Sequence, residues 1–370
     1  MKTLPIWSRW SRPTTKKSER KRAIDKRLGC RLGAESLETR AVFSATALTP
    51  DLDAASDTGF SQTDNRTSDT TPTFSIQATG DAVAINLVRV TKVGKRTVTT
   101  PIDTTSTGGG ASPLLVTVST PLAAGRYSIA AQAVDSQGVA GPVSRPITIE
   151  IGTAAPRFPS IGLDAKSDTG FRNDRITNQT NPLLVGRAQP GTVVVVSGPG
   201  IAGGSQTVPV NRNGLWAIRP TGLAEGSHDF TAKAVNVFGV ESSTSTLRIT
   251  VDTARPLATS MQYLGDEINE IEIVFSRPVA GVDASDFRLT AQSYGLANVP
   301  LNDPRIRNAV GGIVVRPVAD SGGTRYRLAM VRPEIMGGVF EVRLIASKSG
   351  IVDVSSGNLL LLDRAVSATF

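Results

Sequence analysis

Asp53-Ala54-Ala55-Ser56-Asp57-Thr58-Gly59-Phe60 returns further along the chain as Asp164-Ala165-Lys166-Ser167-Asp168-Thr169-Gly170-Phe171, with the last five residues unchanged. The copies start 111 positions apart, the length of one small all-β domain. Other recurrences keep the same order. Leu122-Ala123-Ala124-Gly125 answers to Leu223-Ala224-Glu225-Gly226, and Ala131-Gln132-Ala133-Val134-Asp135 to Ala232-Lys233-Ala234-Val235-Asn236. Ile151-Gly152-Thr153-Ala154-Ala155-Pro156 answers to Val251-Asp252-Thr253-Ala254-Arg255-Pro256, by which point the offset is 100. The first repeat therefore has extra residues in its middle, and the Thr/Gly-rich run 97–112 reads as a longer hairpin loop holding them.

The 370 residues divide into a basic segment at 1–50, repeats at 51–156 and 157–256, and a differently patterned region at 257–370. The 35 glycines and 22 prolines are scattered among Val, Ile and Thr, a composition for short strands and tight turns. In the second repeat strands are expected at 183–187, 192–197, 206–210, 215–219, 228–235 and 246–251. Phe230, Ala232 and Ala234 alternate with Asp229, Thr231 and Lys233, the period of a half-buried strand. Ile129, Ala131 and Ala133 repeat that face in the first unit. Trp216 follows an Asn-Gly turn and reads as a core anchor beside Phe230, with Leu115 in its place in the first repeat. In the third region, strands are expected at 271–275, 286–290, 313–318, 325–330, 339–345 and 365–370, with Phe275 as its anchor. The fold class is all-β: three tandem β-sandwiches behind a basic segment whose high charge and lack of a core pattern predict disorder.

The net charge of +8 belongs to that segment. Residues 1–50 hold 12 Lys/Arg against 4 Asp/Glu, and the remainder has 28 of each sign. The basic balance thus defines no binding face on the folded part, and although a basic arm can bind nucleic acid, no nucleic-acid partner is expected. The single cysteine, Cys30, excludes an intrachain disulfide framework. No apolar run approaches the ~18 residues of a membrane span.

Ser36-Leu37-Glu38-Thr39-Arg40-Ala41-Val42-Phe43-Ser44-Ala45 resembles the LEPR-XLL segment of large exported bacterial proteins, departing from it at Thr39 and at Val42-Phe43. That resemblance implies export, to the extracellular space or the cell surface. Ser-Asp-Thr-Gly, Pro190-Gly191-Thr192-Val193, Asn213-Gly214-Leu215-Trp216, Leu223-Ala224-Glu225-Gly226 and Val251-Asp252-Thr253 follow one another through the second repeat. Together they resemble the bacterial Ig-like repeats of surface adhesins and biofilm proteins. The first repeat is looser, with Gly152 in place of Asp252. Residues 271–287 and 349–359 resemble another bacterial Ig-like type. By these resemblances the protein is a non-enzymatic spacer or adhesive module whose partners are cell-surface or matrix components, protein or glycan. The alternative is an extracellular carbohydrate-binding protein, which needs a planar row of exposed aromatics.

Nothing in the sequence assembles chemistry. The sole histidine, His228, has no second His or Cys for zinc and no triad partners. The glycine-rich run 198–204 lacks the Lys-Ser/Thr of a phosphate loop and reads as a hairpin loop. No catalytic residue and no required cofactor is expected. The aspartates around the repeated stretch, Asp51, Asp53, Asp57 and Asp64 in one copy and Asp164, Asp168 and Asp174 in the other, admit two readings. Asp and Ser build Asx turns, and oxygen-rich loops suit Ca²⁺. Related adhesin arrays stiffen their junctions with Ca²⁺, which the resemblance extends to these residues. Because the motif opens each of the first two repeats, such ions are expected at those entrances. The junction between repeats two and three, with Asp252 and Asp266 but no copy of the motif, is expected to bind more weakly.

Overall fold

The computed structural model describes residues 45–106, 113–265, 270–292, 295–310, 312–330 and 339–369. Among them lie three buried apolar clusters that share no residue, one for each expected domain. The basic segment, Cys30, Trp7, Trp10 and the export-like residues before Ala45 fall outside the described residues.

The first two domains are built on one plan. In the first, a five-stranded sheet runs in the order Arg66–Thr67, Ile147–Ile151, Gly125–Asp135, Ala82–Val93, Arg96–Ser106. It faces a three-stranded sheet of Asp51–Leu52, Thr73–Ile76 and Leu114–Thr117. The second domain repeats this with Ile176–Thr177, Ser245–Val251, Gly226–Val235, Val193–Ser197, Ser205–Pro209 against Gly162–Leu163, Leu184–Arg187, Leu215–Ile218. Alternation supplies the cores: Ile129, Ala131 and Ala133 in one long strand and Phe230, Ala232 and Ala234 in the other are buried. Ile129, Ala131 and Ala133 share a cluster with Phe74 and Ile76 in the first domain, and Phe230 and Ala232 share one with Leu184 and Trp216 in the second. In both domains a short early strand runs parallel to the last one, Arg66 opposite Glu150 and Ile176 opposite Thr250. The third domain has two four-stranded sheets. Its core holds Phe275, Phe287, Tyr326 and Phe340, with Phe275 and Tyr326 edge to face at 5.9 Å. Its one α-helix among the described residues, Pro304–Val310, has no counterpart in the repeats.

Three local readings are corrected. Leu115 is not the counterpart of Trp216; it is 58% exposed, and the register places Leu114 opposite Ile76 where Trp216 lies opposite Gly186. The described part of 97–112 is strand rather than loop: Ala82–Val93 and Arg96–Ser106 form a long hairpin closed by Gly94 and Lys95, where the second domain has two five-residue strands. The first sandwich also begins before residue 51, since Ala45 and Ala47 are buried in its core and Thr46–Ala47 pairs with Ala78–Thr79.

His228 has a structural part. Its Nε2 lies 2.8 Å from the Ala224 carbonyl, and in the first domain the Tyr127 hydroxyl donates to the matching Ala123 carbonyl at 2.8 Å. Both rings tie a strand start back to the turn before it, the bond that a tyrosine corner makes in Ig-type sandwiches.

Candidate functional site

The repeated Ser-Asp-Thr-Gly-Phe turns and what faces them form the most developed polar constellation among the described residues. The serine, aspartate, threonine and glycine each have a definable task in both copies, and in the second the Phe171 amide donates to the Val354 carbonyl at 3.0 Å. Ser56 Oγ accepts from the Thr73 amide and donates to Asp69, while Ser167 Oγ accepts from the Leu183 amide and donates to Gln179. Thr58 Oγ1 accepts from the Ser68 amide, and Thr169 Oγ1 from the Asn178 amide. The same hydroxyls then reach outside their domain. Thr58 donates to the Phe238 carbonyl at 2.8 Å and Thr169 to the Ser356 carbonyl at 2.6 Å. Phe60 and Phe171 are exposed.

These contacts reverse the expected placement. Each turn lies beside the last strand of its own domain, through the parallel pairs Thr67–Ile151 and Thr177–Val251, and so faces the domain that follows. The second copy, not an empty stretch, stands at the junction between domains two and three. Asp266 is outside the described residues.

The receiving surface is of one kind in both cases, a turn opened by Asn236 or Asp353 and closed by a glycine of positive φ, Gly239 at 81° or Gly357 at 74°, the second turn being one residue longer than the first. Backbone meets backbone there. A Cβ on Gly59 would lie 2.4 Å from the Val237 carbonyl oxygen, one on Gly239 2.0 Å from that of Thr58, and one on Gly170 2.2 Å from that of Ser355. The linker is held as well, since Asn236 Nδ2 donates to the Ala154 carbonyl and Asn358 Nδ2 to that of Ala254, both at 2.9 Å.

Around this shared frame the two junctions differ. At the first, the Phe238 ring covers Gly152 so closely that a Cβ there would lie 2.3 Å from it. At the second, Asp252 replaces that glycine and Arg277 bridges it to Asp353, its Nη1 2.9 Å from Asp252 Oδ1 and its Nε 3.2 Å from Asp353 Oδ2. Arg255 adds bonds to the Leu359 and Leu360 carbonyls at 2.8 Å. Burial acts to raise the Asp353 carboxyl. Hydrogen bonds from Ser356 and Ser355 and the charge of Arg277 outweigh it, leaving the group below the ordinary range.

The aspartates separate into two groups. Asp53, Asp64, Asp164 and Asp174 each accept from the amide two residues on, at Ala55, Arg66, Lys166 and Ile176, and so form Asx turns. Asp51 lies exposed in a strand. Asp57 and Asp168 each accept one amide, from Asn65 and Asn173, and each keeps a buried Oδ1 without a hydrogen-bond partner. Burial, reinforced by the charge of Asp64 and opposed by the Asn65 amide, pushes the Asp57 carboxyl above its ordinary value. No group of three or more His, Cys, Asp or Glu residues able to hold a metal occurs among the described residues. The described Trp and Tyr residues form no row of exposed aromatics, because Trp216, Tyr127 and Tyr326 are buried and Tyr263 is half-buried, edge-on to Phe340.

Residues 44–153 and 155–253 each match the bacterial Ig-like domain, together more than half of the sequence. The chain belongs to that family. No curated protein matches it. Among solved structures, a 1.5-MDa bacterial ice-binding adhesin, described for host cell surface retention, is similar at 16% identity. That match covers 88% of this chain and 96% of the other, with a TM-score of 0.33. A Ca²⁺-stabilised ice-binding adhesin of an Antarctic bacterium is similar at 17% identity over 88% and 74%, with a TM-score of 0.32. The BSP domain of a biofilm-associated protein is similar at 21% identity over 50% and 28%, with a TM-score of 0.18. At these levels no function passes from them to this bacterial Ig-like chain. No helix among the described residues is long and apolar enough to cross a membrane.

Proposed function

We propose that this chain is a non-enzymatic structural or adhesive module of an exported bacterial protein, holding sandwiches at fixed spacing at or beyond the cell surface. The observation that supports it most is the repeated junction. Two successive domains are interlocked by a threonine hydroxyl bond and by glycines that allow direct backbone contact. The Gly226–Val235 strand separates the receiving turn of the second domain from its donating turn. At about 3.3 Å per residue, ten residues space the two junctions by roughly 30 Å. Mutually locked ends suit a spacer that presents loops to surface or matrix components. Treating intact cells with a protease and blotting for the chain tests its location. Loss of the sandwiches from intact cells is expected, and full protection until lysis would overturn the reading.

A second reading concerns calcium. The orphan oxygens of Asp57 and Asp168 recur at equivalent positions, the pattern a bound cation would complete with carbonyl oxygens of the same turns. Asp57, with Asp64 beside it, would hold one ion and Asp168 another, and the ion would supply charge neutralisation rather than catalysis. Calorimetric titration of the full chain with CaCl₂ should show two sites, one lost in Asp57→Asn and the other in Asp168→Asn. Absence of heat would leave both as turn formers.

A further inference from the structure

In the third domain Phe287–Ala291 pairs antiparallel with Val339–Leu344, and Phe287, Leu289, Phe340 and Val342 point into the core. The alternate residues Arg288, Thr290, Glu341 and Arg343 therefore share the outer face of that sheet. Arg288 stands directly opposite Arg343, where like charges repel across the pair. Arg288 Nη1 donates to the Ser285 and Phe287 carbonyls at 2.9 and 3.1 Å, and Arg343 Nη2 lies 3.3 Å from Glu341. No carboxylate among the described residues bridges the two guanidinium groups. Beside them the neighbouring strand Leu296–Pro300 is bulged opposite Thr290, and Asn298 there has φ 50° and donates its amide to Thr290 Oγ1 at 3.1 Å. Bulges of this kind re-aim a side chain. Arg288, Thr290, Asn298, Glu341 and Arg343 line one pocket of about 160 Å³.

The other sheet of the same domain shows what such a pair takes. There Arg316 also stands directly opposite an arginine, Arg327, and Glu270 reaches both, its Oε1 meeting Arg316 Nη2 and its Oε2 lying 3.3 Å from Arg327 Nη1. A carboxylate set between two opposed guanidinium groups relieves their repulsion and accepts hydrogen bonds from each. We infer that the Arg288–Arg343 pocket binds an acidic sugar, a uronate residue of an extracellular polysaccharide. Its carboxylate lies between the two arginines, as that of Glu270 does between the other pair. Glu341 repels a second anion and accepts hydrogen bonds, so the ligand must carry donors close to its one carboxylate, which the ring hydroxyls of a uronate supply. Asn298 and the Thr290 hydroxyl complete the polar lining. Recognition of this kind uses charge and hydrogen bonds and needs no row of aromatics. The inference rests on the proposed surface role, for which it names a glycan as the matrix component held.

Calorimetric titration of the full chain with trigalacturonate, in calcium-free buffer of low ionic strength, is the test. Binding is expected, and it should weaken as salt is added. Triglutamate has carboxylates without ring hydroxyls and galactotriose has hydroxyls without a carboxylate, so each should bind at least about tenfold more weakly. Arg343→Gln removes one of two like charges from an exposed position. It should weaken trigalacturonate binding at least about tenfold while leaving the melting temperature unchanged or higher. Arg288→Lys keeps the charge but loses the planar fork, and should weaken binding as well. No heat with trigalacturonate at tens of millimolar, binding of triglutamate as tight as that of trigalacturonate, or an Arg343→Gln chain that binds as its parent does would each overturn the inference. Its failure is separate from that of the surface role. A protease-accessible chain that binds no uronate overturns only the inference, and a chain that binds uronate but stays protected until lysis overturns only the location.

Discussion

Gly186 and Trp216 fill between them the space that Ile76 and Leu114 fill in the first domain, the small residue on one strand admitting the large one on the next. A Cβ at Gly186 would lie 2.5 Å from the indole and 2.0 Å from the Ser160 carbonyl oxygen. Gly186→Ala should therefore lower the melting temperature of the 155–253 fragment far more than Gly162→Ala, where nothing lies within 4 Å. Trp216→Ala, emptying a side chain that is 4% exposed, should cost roughly 3–5 kcal/mol in denaturant unfolding of that fragment. Asp57 runs the other way. Its folded carboxyl is raised, so the charged form is the one the fold disfavours, and stability falls as pH rises from the unfolded value through the folded one. In chelator at neutral pH, Asp57→Asn keeps an acceptor for Asn65 and removes the unpaired charge. It should stabilise the first domain by roughly 1–2 kcal/mol, read as a higher urea midpoint. A lower midpoint would mean that the orphan oxygen has a partner in solution.

At the scale of strands, the alternating faces of Gly125–Asp135 and Gly226–Val235 were legible because polar residues interrupt them. Leu114-Leu115-Val116 was not: all three are apolar, so either face could have been inward, and only pairing with Thr73–Ile76 decides. The motif's position misled for a related reason. Asp168 follows the linker closely in sequence, but the chain crosses the domain between Pro156 and Ser167, and the parallel pair Thr177–Val251 fixes the turn at the far end. Tight turns signal that a bend occurs, not which neighbour it meets. The hairpin of Ala82–Val93 and Arg96–Ser106 was legible as extra length but not as strand. Its Thr-rich run lacks alternation, and its tip exposes Val93 and Val98. Replacing residues 91–98 by an Asn-Gly turn removes exposed surface and little core. It should shift the unfolding free energy of the first domain by no more than about 0.5 kcal/mol. A larger loss would show that the tip contributes to the fold.

Across the whole molecule the two junctions share a backbone lock but differ in what surrounds it, and that difference should respond to acid. Among the described residues no ion pair joins the first two domains; Phe238 on Gly152 and the amide of Asn236 do so without a titrating group. Between the second and third, Arg277 stands between Asp252 and Asp353. The Asp353 carboxyl is held below its reference value of 3.8. A depressed carboxyl contributes stability that is complete above the unfolded value and is lost as pH falls through the folded one, so this junction should loosen only in acid below that value. Arg277→Met at neutral pH should loosen it too, by leaving two largely buried carboxylates without their cation, a change that typically costs roughly 3–5 kcal/mol. Spin labels at Gln206 and Arg126 report the first junction, and labels at Arg212 and Lys348 the second. In double electron–electron resonance the second distance distribution should broaden in acid and in Arg277→Met, while the first keeps its width. Equal broadening of both would mean that the shared turns, and not the ion pairs, set the stiffness at either junction.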